Sequence, residues 1–265
     1  MSITSPRCLH PFYKLLHLRL LTCLGPSVSA SSPRAYKPRH GCTDPGLPRT
    51  DRPHLPLDTE DMPNIVELVI VDLKEGVGKD DPVFTKLREG VAKGGLKRQS
   101  FGFSVEHPQR LYWTFYFENG FEPKDFKWPQ EEYGDYIEQL KTIATSDFTR
   151  YYFTFPSFPH EVTAAPITET ALITLKADAD VAAFKAIQDA LVGKLKQAPV
   201  VQEAAYAITT EAGANPIVLL FVGWPSAEAH QELVSRPESK EVMGKLHSFI
   251  EKGDVAHIPY TNKEY

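Results

Sequence analysis

Residues 62–265 of the 265-residue chain contain no cysteine, because Cys8, Cys23 and Cys42 all lie before residue 62. Disulfide bonds, thiolate metal ligands and a cysteine nucleophile are therefore excluded from this part of the chain. The sequence also lacks any apolar run of about 18 residues, so it predicts no membrane-spanning helix. Phosphate-binding loops of the GxGxxG or Walker type do not occur.

Metal-ligand spacing is missing as well. The histidines after residue 62 form no pair such as HxxxH on one helix face, which is the arrangement typical of zinc sites. The sequence therefore predicts no metal site. The histidines concerned are His107, His160, His230, His247 and His257.

Positive charge is scarce in the same part of the chain. The whole chain has a formal net charge of −5, and residues 62–265 carry 21 Lys and Arg against 29 Asp and Glu, a net charge of −8. A protein that binds nucleic acid without sequence preference needs a basic surface that displaces counterions from the phosphates. We therefore expect no nucleic-acid partner.

Residues 1–61 differ from the rest in composition. They hold 9 of the 22 prolines and no acidic residue before Asp44. Their apolar surface is too small to offset the entropy of ordering, so we expect a disordered extension. Three origins remain open: an extension upstream of a protein that starts at Met62, a mitochondrial presequence, or a secretory signal cleaved after Val28-Ser29-Ala30. The first origin predicts a cytoplasmic protein and the second a mitochondrial one.

Residues 62–156 show the periodicity of a strand, a helix, a hairpin, a second helix and a fourth strand. Asp81-Pro82 has the composition of a helix N-terminus, and Gly94-Gly95 that of a helix end. The predicted elements are a strand at 65–73, a helix from Asp81 to Gly94, strands at 97–106 and Arg110–Phe117, a helix through 133–144, and a strand at Thr149–Phe155.

A linker is predicted at 157–166, and the same order of elements then returns in 167–265. Trp-Pro precedes the second helix of each half, at Trp128-Pro129 and Trp224-Pro225. The matching order indicates an internal duplication. The predicted elements are a strand at 168–175, a helix capped by Asp180 with a buried stripe of Phe184, Ile187, Leu191 and Leu195, strands at 200–209 and Ile217–Trp224, a broken helix through 225–250 with Val242, Leu246 and Phe249 inward, and a strand at 255–259.

The order βαββαβ is that of the ferredoxin-like unit, so the predicted fold class is α+β with two tandem repeats. The central strands are apolar on both faces. Ile217–Phe221 has no polar residue, and in the strand 110–117 one face carries Leu111, Trp113, Phe115 and Phe117 and the other Tyr112, Thr114 and Tyr116. Two-sided apolarity implies that a second sheet covers the face opposite the helices. Two repeats in one chain can supply each other's covering sheet, as an intramolecular pseudo-dimer, and a homo-oligomer is the other solution.

The stretch Gly223-Trp224-Pro225-Ser226-Ala227-Glu228-Ala229-His230 resembles the end of the third strand and the start of the second helix in the dimeric α+β barrel superfamily. It is most similar to the antibiotic-biosynthesis-monooxygenase-like domains of fungal proteins, over residues 167–260 and more weakly over 64–156. The resemblance implies a barrel of two sheets with a pocket between sheet and helices. Family members include cofactor-independent monooxygenases of polycyclic phenols, haem-degrading enzymes and proteins without known activity, so the resemblance implies a small aromatic ligand and no cofactor.

Five side chains are candidates for the site. His230 is the predicted general base, and Trp113, Tyr112, Tyr116 and Trp224 are predicted to line a pocket for a flat aromatic molecule. Each has a structural alternative: the aromatic residues can pack the core, and His230 can face solvent or cap its helix.

Two classes of function therefore remain open from the sequence. The first is a cofactor-independent monooxygenase that acts on an aromatic or polyketide-like molecule. The second is a non-catalytic small-molecule-binding or stress-responsive barrel. An enzyme predicts polar side chains that converge in a cavity, whereas a binding or structural protein predicts a cavity filled by Phe, Tyr and Trp.

Overall fold

A computed structural model describes residues 62–209 and 214–265. The predictions for residues 1–61 lie outside this range. The strands are β1 Asn64–Asp72, β2 Arg98–Phe103, β3 Arg110–Phe117, β4 Thr149–Phe155, β5 Ile167–Leu175, β6 Ala204–Thr209, β7 Ile217–Trp224, β8 Ile250–Ile258 and β9 Thr261–Glu264. The helices are α1 Pro82–Lys93, α2 Gln130–Tyr133, α3 Tyr136–Ile143, α4 His160–Thr163, α5 Val181–Gln197, α6 Ala227–Val234 and α7 Pro237–His247.

The strands form two antiparallel sheets. The first sheet has the order β4-β1-β3-β2-β9, and the second has the order β6-β7-β5-β8. Four strands of each sheet come from one βαββαβ unit of the chain, and β9 is added to the first sheet. The predicted α+β class with ferredoxin-like units is confirmed, whereas the domain boundaries and the internal duplication stay predictions.

The two sheets pack against each other through their helix-free faces. Side chains alternate along β1, so Val66 and Leu68 point between the sheets while Val69 and Val71 point toward the helices. Phe155 and Phe221, one from each sheet, stack with ring centroids 6.1 Å apart. Burial of each such Leu or Phe side chain contributes about 1.5–3 kcal/mol, so this layer is a main source of stability.

The helices cover the outer faces, as the first helix illustrates. The Asp81 carboxylate accepts hydrogen bonds from the backbone amides of Val83 and Phe84, at 2.8 and 3.1 Å, and Pro82 occupies the first turn. These bonds satisfy amides that have no partner within the helix. The Phe84 ring then lies edge-on to Trp113, with ring centroids 5.1 Å apart. The predicted helix start is confirmed.

Two helical segments differ from the prediction. The helix predicted through 133–144 is two helices, because Gly134 adopts φ +76° and Asp135 caps α3 by accepting from the Glu138 amide. In α5 the buried stripe is Phe184, Gln188, Val192 and Leu195, while Ile187 and Leu191 are partly buried. The buried face of α5 is rotated relative to the prediction because this helix packs against both α7 and β6.

Two more segments differ from the prediction, one before β5 and one at the last strands of the chain. The predicted linker 157–166 contains α4, whose Val162 is 1% exposed. The predicted last strand is longer, and β9 follows it after Pro259-Tyr260. β9 leaves the second sheet and pairs with β2 of the first, with Thr261 opposite Phe101 and Glu264 opposite Arg98. β9, which follows the last strand of the second sheet, therefore completes the first sheet.

Candidate functional site

An open cleft of about 290 Å³ lies beside β2, β9 and α4. We call it the His160 cleft. Small-molecule sites usually enclose roughly 300–1,000 Å³, so the volume of this cleft lies just below that range. Most of the side chains that line it are polar or charged: Arg98, Ser100, His160, Thr163, Ala164, Asn262, Lys263 and Glu264.

The pairing of β2 with β9 sets one wall of the cleft. Ser100 and Asn262 are direct cross-strand partners, so their side chains share the face that looks toward the second sheet. Opposite this wall, the turn that enters α4 places His160, and the buried Val162 and Thr163 fix the helix on the barrel. Three segments that are far apart in sequence therefore meet at the cleft.

His160 forms an acid–base pair with a carboxylate. Its Nε2 lies 3.0 Å from Glu118 Oε1, and the same oxygen lies 3.6 Å from the Arg98 guanidinium. The ring is held between Tyr116, edge-on at 4.4 Å, and Phe158, stacked at 5.4 Å between centroids. Aromatic contacts on both sides fix the orientation of the imidazole.

Burial, reinforced by the nearby charge of Arg98, lowers the pKa of His160, although Glu118 acts in the opposite direction. The imidazole is therefore neutral near neutral pH. With its Nε2 proton donated to Glu118, the basic lone pair is on Nδ1. Nδ1 makes no hydrogen bond within the described residues. A neutral histidine oriented by a carboxylate is the arrangement that general-base chemistry requires.

A chain of polar side chains supports the cleft from behind. Ser100 Oγ donates to Asn262 Oδ1 at 2.5 Å, so the Tyr116 hydroxyl, 2.8 Å away, donates to Ser100. Asn262 Nδ2 donates to the Thr163 carbonyl at 2.9 Å. Burial raises the pKa of Tyr116, so its phenol stays protonated and keeps the direction of this chain fixed.

The sequence-predicted base, His230, lies elsewhere, between α6 and the second sheet. Its Nδ1 is 2.7 Å from His257 Nε2, and its Nε2 is 3.3 Å from Glu169 Oε2. Trp224 Nε1 donates to that same oxygen at 3.1 Å. Burial lowers the pKa of His230, and Glu169 opposes this effect. Its side chain is 12% exposed, so both ring nitrogens are engaged in a nearly closed environment.

The five predicted site residues are thus divided among three parts of the molecule. Trp113 packs between the first sheet and α1, where its Nε1 donates to Gln99 Oε1 at 3.1 Å. Tyr112 and Tyr116 point the other way, into the layer between the sheets, and Tyr116 reaches the His160 cleft through Ser100. Trp224 and His230 are in contact, with ring centroids 5.0 Å apart.

Sequence reasoning missed His160, Glu118, Arg98 and Asn262. His160 lies in the segment predicted to be a linker, and Glu118, which directly follows β3, is 42 positions away from it in sequence. Asn262 reaches the cleft only through the unexpected pairing of β9 with β2. No local spacing brings these residues together: Arg98 and Glu118 meet through the pairing of β2 with β3, His160 arrives with α4, and Asn262 arrives with β9.

A second cleft, of about 410 Å³, involves Phe101 and Phe103, which alternate with Ser100 along β2 and so point to the opposite face of the sheet. We call it the aromatic cleft. It offers rings and one ammonium group but no acid–base pair among its lining residues, which are Lys79, Phe101, Gly102, Phe103, Pro259, Tyr260 and Thr261.

Within residues 62–209 and 214–265, no group of three or more His, Cys, Asp or Glu side chains is arranged to hold a metal ion. In the same ranges, none of the helices has the length and hydropathy to cross a membrane.

No family model and no curated protein sequence matches this chain. Solved structures do resemble it. A candidate monooxygenase from Fusobacterium nucleatum subsp. nucleatum ATCC 25586 aligns with a TM-score of 0.54 and 12% identity, over 77% of this chain and 95% of that one. An anthrone oxidase-like protein aligns with a TM-score of 0.50 and 10% identity, over 77% and 94%. These likenesses show that the chain shares the fold of these two structures.

Proposed function

We propose that the protein is a cofactor-independent oxygenase that acts on a small aromatic molecule with an acidic CH₂ or phenol group, in the His160 cleft. The observation that carries the proposal is the neutral His160, oriented by Glu118 and placed in an open cleft beside Arg98. The names of the two similar structures, a candidate monooxygenase and an anthrone oxidase-like protein, point to the same chemistry.

The first step is proton abstraction. His160 Nδ1 takes a proton from the substrate, and the imidazolium that forms is stabilised by the Glu118 carboxylate. The positive charges of Arg98 and Lys263, which also line the cleft, stabilise the enolate or phenolate. The Arg98 guanidinium also lies 3.1 Å from the Glu264 carboxylate, and this ion pair positions Arg98 at the mouth of the cleft.

The second step consumes oxygen. The anion passes one electron to O₂, and the resulting radical and superoxide combine to form a C–O bond. The proton held by His160 returns to the peroxide, which then loses water and leaves a ketone. A CH₂ group and one O₂ therefore give one C=O group and one H₂O, and no other reductant is needed.

The test uses anthrone as the probe substrate and the full chain as the enzyme. We expect O₂ uptake and anthraquinone formation above the protein-free rate, with His160→Gln reducing turnover by about 10²–10⁴-fold, the usual contribution of a general base. His247→Gln is the matched control, because His247 is exposed at the end of α7 and should keep full turnover. Circular dichroism confirms that each variant is folded.

His230→Ala separates the two candidate bases. If turnover depends on His230 and not on His160, the assignment made from the sequence is the correct one. If neither substitution changes the rate, base catalysis by either histidine is wrong.

The aromatic cleft favours a second candidate, a non-catalytic barrel that binds a flat aromatic anion. Phe103, Tyr260 and Lys79 provide ring surface and one positive charge, whereas the Phe101 ring is 2% exposed and belongs to the core. This candidate predicts that anthrone quenches intrinsic fluorescence without turnover. It also predicts that Phe103→Ala weakens the binding, whereas His160→Gln leaves it unchanged.

A further inference from the structure

The guanidinium of Arg88 is buried between α1 and the first sheet. Arg88 is 4% exposed, and its Cζ lies over the rings of Phe84 and Phe101, at 4.7 and 4.1 Å from their centroids. Within the described residues, its side chain makes one hydrogen bond, from Nη2 to Thr85 Oγ1 at 3.0 Å. The Nε–H group is fully enclosed, and no atom of the same residues accepts its hydrogen. Arg88 is therefore a buried cation with an unused donor.

No carboxylate contacts this charge directly. Burial lowers the pKa of Arg88, and the charges of Asp80 and Glu89 oppose this effect. Both acidic residues are exposed, and neither forms an ion pair with Arg88 among residues 62–209 and 214–265. A guanidinium stays protonated in proteins, and a buried charge is strongly unfavourable unless a counter-ion lies beside it. The position therefore favours an anion that the described residues do not supply.

Tyr265 provides a second unused donor on the same side of the sheet. Its hydroxyl is enclosed and has no hydrogen-bond partner in the part of the chain that the structure describes. Thr261 pairs with Phe101, and side chains alternate along a strand, so Tyr265, four positions later, faces α1 as Phe101 does. Its amide donates to the Lys97 carbonyl at 3.1 Å, which holds it in this register. Burial raises the pKa of Tyr265 and the Arg88 charge opposes this effect, in agreement with their proximity.

The equivalent position of the second sheet has no charge. Gln188 follows the buried Phe184 by four residues, as Arg88 follows Phe84. Gln188 is 1% exposed, and its Nε2 has no hydrogen-bond partner within the described residues. A neutral amide needs no counter-ion, so we expect an anion only beside Arg88.

We propose that Arg88 and Tyr265 bind one small, weakly hydrated monovalent anion, of the size of chloride, between α1 and the end of β9. One negative charge balances the guanidinium, and the anion accepts hydrogen bonds from Arg88 Nε and from the Tyr265 hydroxyl. Because both donors are enclosed, the anion must lose its water, which disfavours multiply charged ions such as phosphate. β9 also supplies Asn262 to the His160 cleft, so the bound anion stabilises that wall of the cleft.

The line width of the ³⁵Cl NMR signal in the presence of the full chain tests the proposal. We expect the natural protein to broaden the chloride signal saturably and bromide to reverse the broadening by competition. Arg88→Met keeps an apolar contact with the two rings but removes the charge, so the saturable broadening should disappear. Gln188→Met is the matched control and should keep it. Arg236→Met should keep it too, since Arg236 is an exposed arginine.

Tyr265→Phe removes only the hydroxyl and provides the second variant if Arg88→Met does not fold. It should weaken the affinity for chloride by about tenfold, the usual effect of losing one hydrogen bond to a charged group. Anomalous diffraction from crystals grown in bromide should place a peak beside Arg88 Nε. The proposal is overturned by chloride broadening that is unchanged in Arg88→Met or in Tyr265→Phe, by its absence with the natural protein, or by a water molecule at that position in bromide.

Discussion

At the scale of single residues, two buried glutamates occupy equivalent positions in the two sheets. Glu67 lies two residues after Ile65, which pairs with the last residue of β3, and Glu169 lies two residues after Ile167, which pairs with the last residue of β7. Their environments differ. Glu169 accepts hydrogen bonds from Trp224 and faces His230, whereas Glu67 has Arg150 at 4.0 Å.

This difference predicts opposite effects of the same substitution. Burial raises the pKa of Glu67 to about 7, although Arg150 and Tyr152 act to lower it, so its contribution to stability is present in acid and is lost as the pH rises through 7. Glu67→Gln should therefore stabilise the protein at pH 8, by up to about 3 kcal/mol, and have little effect at pH 4.5. Glu169→Gln is the matched control and should destabilise it at pH 8. Urea unfolding at both pH values measures this, and a Glu67→Gln variant less stable than the natural protein at pH 8 contradicts the account.

At the scale of elements, β9 has two roles, because it completes the first sheet and supplies Asn262 to the His160 cleft. Asn262 and Lys263 are adjacent and both exposed, but only Asn262 is bonded to Ser100 and to the Thr163 carbonyl. Asn262→Ala should cost about 1–2 kcal/mol of unfolding free energy, the net value of two such bonds. Lys263→Ala should change it by less than about 0.5 kcal/mol. Equal effects in thermal unfolding would show that these bonds contribute nothing.

The elements also show what the sequence could predict. The bounds of β3, β4 and β7 and the cap of α1 were predictable, because alternation and capping are local properties. β9 was not, since Thr261–Glu264 is short and polar, and its strand conformation depends on pairing with β2. α4 was not predictable for a related reason: a helix of four residues shows no helical periodicity, and burial of Val162 holds it in place.

At the scale of the whole molecule, the barrel consists of two sheets that are joined by three sets of contacts. Aromatic residues such as Phe155 and Phe221 fill the layer between the sheets, β9 crosses from the second sheet to the first, and Glu106 on the β2–β3 turn bonds to His257 on β8. The fold class was predictable because two-sided apolar strands require a covering sheet. The clefts were not predictable, because their lining residues come from both halves of the chain.

The residues of the candidate site also divide between the layer that separates the sheets and the turns at its edge. Tyr116, predicted from an aromatic strand, supports the His160 cleft from the filled layer, while the acid–base pair comes from the turns at the edge. A search restricted to motifs directs attention to His230, because the recognisable stretch that ends at His230 is continuous in sequence. His160 has no such motif, and its significance depends on Glu118 and Arg98 beside it.

The central claim is that the His160 cleft deprotonates its ligand, and the most direct measurement is the absorption spectrum of anthrone mixed with the full chain in the absence of oxygen. We predict that the anthrone anion accumulates with the natural protein and with His247→Gln, and that it fails to form with His160→Gln. Addition of O₂ should then oxidise the accumulated anion to anthraquinone. An anion that forms equally well with His160→Gln, or no anion at all with the natural protein, would contradict the assignment of this cleft as the active site.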